Sequence, residues 1–199
     1  MKSQNSLLEM FFRKLAEVFT GTADIEKNAR SALLAATCVT ASADNKTALK
    51  APFFDIMSQN DAHPICDFIL RMNFNWSPPT TIDEVSYIRD SINKSHVELI
   101  GPSGIVNSNS IQIGLYGMLA HNKYGIRTHP AEEVYIMLAG EVFWKVGNTE
   151  YLRHTAGQRS YHPSMAPHAN KTENKAFMSV YVWQGDISTK NYVYNGQAS

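Results

Sequence analysis

The feature that most constrains the fold is a change of period at Asn75-Trp76-Ser77-Pro78-Pro79-Thr80. Before it, apolar residues such as Leu7, Leu8, Phe11, Phe12, Leu15, Val18 and Phe19 recur at three- and four-residue steps, the spacing of one helix face. After it they alternate or run continuously, as in His96 to Ile100, Ile111 to Tyr116, Glu133 to Leu138, Glu141 to Val146 and Phe177 to Trp183. Those runs read as strands, punctuated by turn residues at Gly101-Pro102, Gly140, Gly147-Asn148, Gly157 and Gly185. Two prolines end any helix entering the boundary. The reading is a helical region over residues 1–78 packing on a β-barrel or sandwich over 79–199.

Within the first region, further helices are expected from about Asp24 to Ala36, from about Asn45 to Ser58 and from Ile65 to Met72. Pro52 is expected to break or kink the third of these. Thr80 to Asp83 can cap a short helix just past the boundary. The polar tail from Ser188 to Ser199 reads as an edge strand or a disordered end.

Composition narrows the class. Eighteen Lys and Arg balance eighteen Asp and Glu over 199 residues, so the chain lacks the sustained positive charge of a nucleic-acid binder or a polybasic membrane-surface protein. With 44% hydrophobic and 18% charged residues, it has the material for a core and is too apolar for a disordered chain. Cys38 and Cys66 have no metal or redox spacing and read as two buried thiols. The N-terminus lacks the continuous apolar stretch of a signal peptide and no window resembles a membrane span, so a cytoplasmic location is expected.

The chemistry-bearing residues lie in the second region. His63, His96, His121, His154 and His162 show no ligand spacing and read as surface or structural histidines. His129 and His168 differ. In His129-Pro130-Ala131-Glu132-Glu133-Val134-Tyr135 the chain enters a strand, where residues two apart share a face, so Glu133 and Tyr135 point the same way. His168 closes a turn that begins at Gly157. A barrel that brings the segments together would give two imidazoles and one carboxylate with positions left open, a set suited to a catalytic divalent metal.

Glu133-x6-Gly140, then Gly157-x5-Pro163-x4-His168, resemble the two characteristic motifs of the cupin superfamily. Gly101-Pro102, Tyr124, His129 to Tyr135, His162-Pro163-Ser164, Pro167-His168-Ala169 and Tyr181-Val182-Trp183-x-Gly185-Asp186 resemble, more narrowly, the cupin-type dimethylsulfoniopropionate (DMSP) lyases. The resemblance covers roughly residues 96 to 187. It implies a mainly β fold, a cupin double-stranded β-helix (jelly-roll) barrel with an N-terminal α-helical extension. It also implies an enzyme, a metal-dependent carbon–sulfur lyase that splits DMSP into dimethyl sulfide and acrylate.

Carried over residue by residue, the resemblance makes His129, Glu133 and His168 ligands of a divalent transition metal, Zn, Fe, Mn or Ni. It makes Tyr135 a metal-associated base, Tyr124 a second active-site tyrosine, and Trp183 an aromatic near the substrate. Tyr87 and Trp76 are further aromatic candidates. The partner implied is a small zwitterionic carboxylate such as DMSP, with neither nucleic acid nor membrane involved, and a homodimer is the family-based expectation.

Two positions depart from the pattern. Met165 stands where the general motif has glycine, and Arg127 stands where the family usually has a histidine. A guanidinium stays protonated and offers only donors, so it cannot ligate a metal. Arg127 either faces solvent or lies inside and pairs with Glu133 or a substrate carboxylate. The competing functions are a cupin dioxygenase or isomerase, and a non-catalytic or divergent cupin that binds another small carboxylate.

Overall fold

A computed structural model of the protein describes residues 2–36 and 47–196. The helices are α1 (Lys2–Ala16), α2 (Asp24–Ala35), α3 (Ala51–Met57), α4 (Cys66–Arg71) and α5 (Val85–Ser91). The strands are β1 (Lys94–Gly101), β2 (Val106–Asn107), β3 (Ile111–Met118), β4 (Lys123–Thr128), β5 (Glu132–Val146), β6 (Leu152–Thr155), β7 (Arg159–His162), β8 (His168–Lys171), β9 (Phe177–Gln184) and β10 (Val193–Tyr194).

Three local expectations need correcting. Pro52 starts α3 rather than breaking it, because at the second helical position its missing N–H leaves no bond unmade. The helix expected from Asn45 is therefore short, and its first residues, like Cys38, lie outside the described segments. Residues 80–83 cap nothing: α5 begins at Val85, after Glu84, which makes no side-chain capping bond. Gly140 is not a turn between two strands but a bend inside the 15-residue β5. It has φ +72°, and a Cβ there would strike the Ala176 carbonyl.

That bend organises the barrel. Up to Gly140, β5 pairs with β9 and β7; from Glu141 it pairs with β6 and β8. The first sheet therefore runs β2-β1-β3-β9-β5-β7 and the second β10-β4-β8-β5-β6, with β1 and β2 the one parallel pair among the described strands. The first sheet's outer face, including Val97, Leu99, Ile113, Leu115, Val134, Ile136, Val180 and Val182, shares one apolar core with α1 and α2 through Phe11, Leu15, Ile25 and Leu33. The amphipathic helices thus cover one side of the barrel. By the pleat, the alternate residues of the same strands face inward. No helix among the described residues is long and apolar enough to cross a membrane.

Candidate active site

Three elements converge at one end of the barrel. Glu133 projects inward from β5, His129 sits in the connection from β4, and His168 opens β8. All three are buried, and one ligand atom from each lies within 4.8 Å of the others. His129 Nδ1 lies 3.0 Å from the Ala131 carbonyl and His168 Nδ1 2.9 Å from the Ala166 carbonyl. A carbonyl only accepts, so each Nδ1 carries a hydrogen and each Nε2 is turned inward, where the neutral form of the ring offers a lone pair.

Those two Nε2 atoms stand 3.5 and 3.3 Å from the same oxygen, Glu133 Oε2, and neither has a hydrogen-bond partner. Burial pushes the Glu133 carboxyl up, but the hydrogen bond from the His162 ring opposes it and the group is held below the usual carboxylate range. Burial, reinforced by the positive charge of Arg127, keeps the His168 ring neutral. Three buried acceptors aimed at one point repel each other unless a cation lies between them. The donor set fits a divalent metal of intermediate softness.

Two side chains fix Glu133. His162, at the end of β7, pairs directly across from it and its Nδ1 lies 2.9 Å from Glu133 Oε2, while Ser160 Oγ holds the other ring nitrogen at 2.8 Å. Trp183 donates its indole N–H to Glu133 Oε1 at 2.5 Å and stacks on the His129 ring at 4.1 Å between centroids. His162 was expected to be a surface or structural histidine. It is a buried structural partner of the central carboxylate, and only the β5–β7 pairing brings the two together.

Arg127 lies inside, 2% exposed. It does not form an ion pair with Glu133. Its Nη1 and Nη2 make long bonds to the Gly125 carbonyl (3.5 Å) and Asn170 Oδ1 (3.3 Å), and its Cζ lies 4.0 Å from the Tyr124 ring centroid. Lys94 Nζ lies 3.2 Å from the same centroid, and two groups that close cannot share one face. Tyr124 is thus covered on both faces, which leaves its hydroxyl, bonded to Tyr192 Oη at 2.9 Å, as its polar contribution. Tyr87 packs edge-on to Tyr124 beneath the site. Trp76 belongs to the helix-side core against Phe74 and is away from it.

Tyr135, two residues past Glu133, faces the same cavity of about 490 Å³ as Arg127, Glu133, Tyr124 and Trp183. Its hydroxyl is pushed well above the ordinary phenol value, first by burial and then by the Glu133 carboxylate, with Arg127 opposing. Toward the mouth, the Tyr181 hydroxyl meets His96 Nε2 at 2.7 Å and accepts from Gln112 Nε2 at 3.2 Å. Gly114 makes that possible: a Cβ there would sit 2.5 Å from the Tyr181 ring. His96 was expected to be a surface or structural histidine and Tyr181 was named only as part of a motif, since nothing in either local segment shows that β1 and β9 flank β3.

A jelly-roll fold that brings together two imidazoles and a carboxylate able to hold a metal ion defines the class: a cupin-type protein. A family model for dimethylsulfoniopropionate lyases matches residues 70–179, more than half of the chain, and the chain belongs to that family. The dimethylsulfoniopropionate lyase DddQ of Ruegeria pomeroyi is 37% identical over 91 residues, which are 46% of this chain and 45% of that protein. The matched stretch thus spans less than half the length of that relative. Among solved structures, a DMSP lyase from a study of RdDddP and RnDddQII superposes with a TM-score of 0.69 over 98% of both chains at 19% identity, a likeness of fold. The crystal structure of DddQ from Ruegeria pomeroyi superposes with a TM-score of 0.61 at 25% identity, over 94% of this chain and 96% of that one.

Proposed function

We propose that the chain is a metal-dependent lyase that cleaves DMSP to dimethyl sulfide and acrylate by β-elimination. Family membership supports the reaction class. The observation that carries the reading is the convergence of three buried acceptors, His129 Nε2, His168 Nε2 and Glu133 Oε2, beside a phenol and a cavity. A divalent cation held by these residues would act as a Lewis acid toward the carboxylate, offsetting the charge that builds on the adjacent carbon.

Tyr135 is the base. Its oxygen takes the proton from the carbon next to the carboxylate, the C–H electrons form the double bond, and the C–S pair leaves with sulfur as neutral dimethyl sulfide. The proton then passes to solvent. Burial and Glu133 raise the phenol's pKa, so the neighbouring Arg127 and the cation site must favour its ionised form during the reaction. Trp183 lines the cavity and offers the aromatic surface for the sulfonium, a contact of about 1 kcal/mol or more in a dry site. Because Tyr124 has both faces occupied, its part is the hydroxyl contact with Tyr192 rather than a face for the sulfonium.

The test is headspace dimethyl sulfide after DMSP is added to protein loaded with Mn, Fe, Ni or Zn, with Tyr135→Phe as control. Release by the wild type that falls at least a hundredfold in the variant supports the reading. No release with any metal contradicts it and favours a non-catalytic carboxylate binder; oxygen uptake with iron would favour a dioxygenase.

A further inference from the structure

We infer that Arg127 is a carboxylate receptor that works without the metal, so that this chain recognises a small carboxylate through its own side chains. The inference rests on the lyase reading only for the identity of that carboxylate. Among the described arginines, those in ion pairs are Arg89, Arg153 and Arg159; Arg127 has no carboxylate partner although it is 2% exposed. A buried, permanently charged group without a counter-ion is costly, and its cost is offset when an anion binds.

The geometry leaves the right part of the guanidinium free. Tyr124 covers a face, and only two of five N–H donors are engaged, through the long bonds to Gly125 and Asn170. The planar fork keeps donors for a carboxylate on the cavity side, where Arg127 is part of the lining. Glu133 does not pair with it directly, because its two oxygens are already held by the Trp183 N–H and the His162 ring.

Two more donors lie in the same layer. Trp144 and Asn170 are cross-strand partners on β5 and β8, and Asn170 also pairs with Tyr124 of β4. Both side chains are buried, and Trp144 Nε1 and Asn170 Nδ2 have no hydrogen-bond partner. Asn170 Oδ1 accepts from Arg127, which fixes the amide so that its Nδ2 remains a donor. These two N–H groups lie behind the part of the cavity wall that Arg127 lines, so the guanidinium is the donor that reaches an anion in the cavity. A histidine at position 127 would give a metal ligand; the arginine instead gives the protein a carboxylate contact of its own.

The experiment uses the full chain after chelator treatment, with acrylate as the probe and acrylamide, its neutral isostere, as control, read by isothermal titration calorimetry in chloride-free and chloride-containing buffer. Acrylate binds the metal-free protein and acrylamide does not. Arg127→Met weakens acrylate by about ten- to a hundredfold. Asn170→Asp, nearly isosteric, has the same effect by supplying Arg127 with an internal carboxylate, and it covers the case in which the first variant fails to fold.

Acrylate that binds no better than acrylamide, binding unchanged in folded Arg127→Met, or a site that takes chloride in preference to acrylate overturns the inference. Dimethyl sulfide released by loaded protein that ignores acrylate when metal-free sinks the inference and leaves the lyase reading standing. Acrylate binding through Arg127 with no dimethyl sulfide under any metal does the reverse.

Discussion

His162 Nδ1 lies 2.9 Å from Glu133 Oε2 across the β5–β7 pair, so the central carboxylate of the site is oriented by a third imidazole. A carboxylate free to rotate would present either oxygen to the two Nε2 atoms; this bond selects one. Replacing His162 with Phe keeps the bulk and removes the orienting contact. Metal affinity, measured by competition with a chromophoric chelator, is expected to fall about ten- to a hundredfold, with the fold retained. Unchanged affinity would show that Glu133 is positioned by Trp183 alone.

Arg127 places a fixed positive charge on the barrel wall near a site for a dication. Like charges in a desolvated interior repel, and the usual histidine ligand is missing as well. The protein as purified is expected to carry less than one metal ion per chain. Arg127→His should raise affinity by on the order of tenfold or more, read as metal per chain by elemental analysis at fixed free metal. No gain in occupancy would count against the repulsion.

Met165 adopts φ +60° in the turn before His168, a left-handed conformation that costs a non-glycine residue about 1–2 kcal/mol. Its side chain is half exposed, so little packing is at stake. Glycine relieves the strain and gives back part of the gain as unfolded-state entropy. Met165→Gly is expected to stabilise the protein by about 0.5–1 kcal/mol in denaturant unfolding. A loss of stability would mean that the methionine packs in a way its exposure does not suggest.

Lys94 is fully buried. Burial, with the charge of Arg127 adding to it and Asp90 opposing, pushes its amine down to about 6 from 10.5. Between those values the unfolded chain holds a proton that the folded chain does not, so stability rises with pH across that window and is reduced at neutral pH. Lys94→Met keeps the stem and removes the titration. Its melting temperature at pH 7 should exceed the wild type's by about 5 °C, with the difference shrinking toward pH 10. A difference independent of pH would contradict the assigned protonation state.

Much of this architecture was legible in the residues and some was not. Helices α1 and α2 and strands β1, β3 and β9 follow directly from spacing, because each packs one face against a single apolar core. Strands β4, β6, β7 and β8 were missed: they are short, and polar residues such as Arg127, His162 and Asn170 point into the barrel, so hydrophobic alternation does not mark them. Gly140 misled for a physical reason, since a positive φ serves a bend within a strand as well as a turn between two. In the site, His129, Glu133 and His168 could be named from motif spacing, and Arg127 as the departure. The partners His162, Asn170 and Trp144 could not, because their roles depend on which strands lie side by side.

The central claim is that the acceptor cluster holds a divalent cation required for DMSP cleavage. It is tested most directly by the dimethyl sulfide release rate of chelator-treated protein as one metal is titrated back. The account predicts no release at the start and a rise that saturates near one equivalent per chain, with Glu133→Gln giving none at any point. A rate that survives chelation, or one that Glu133→Gln leaves unchanged, would contradict it.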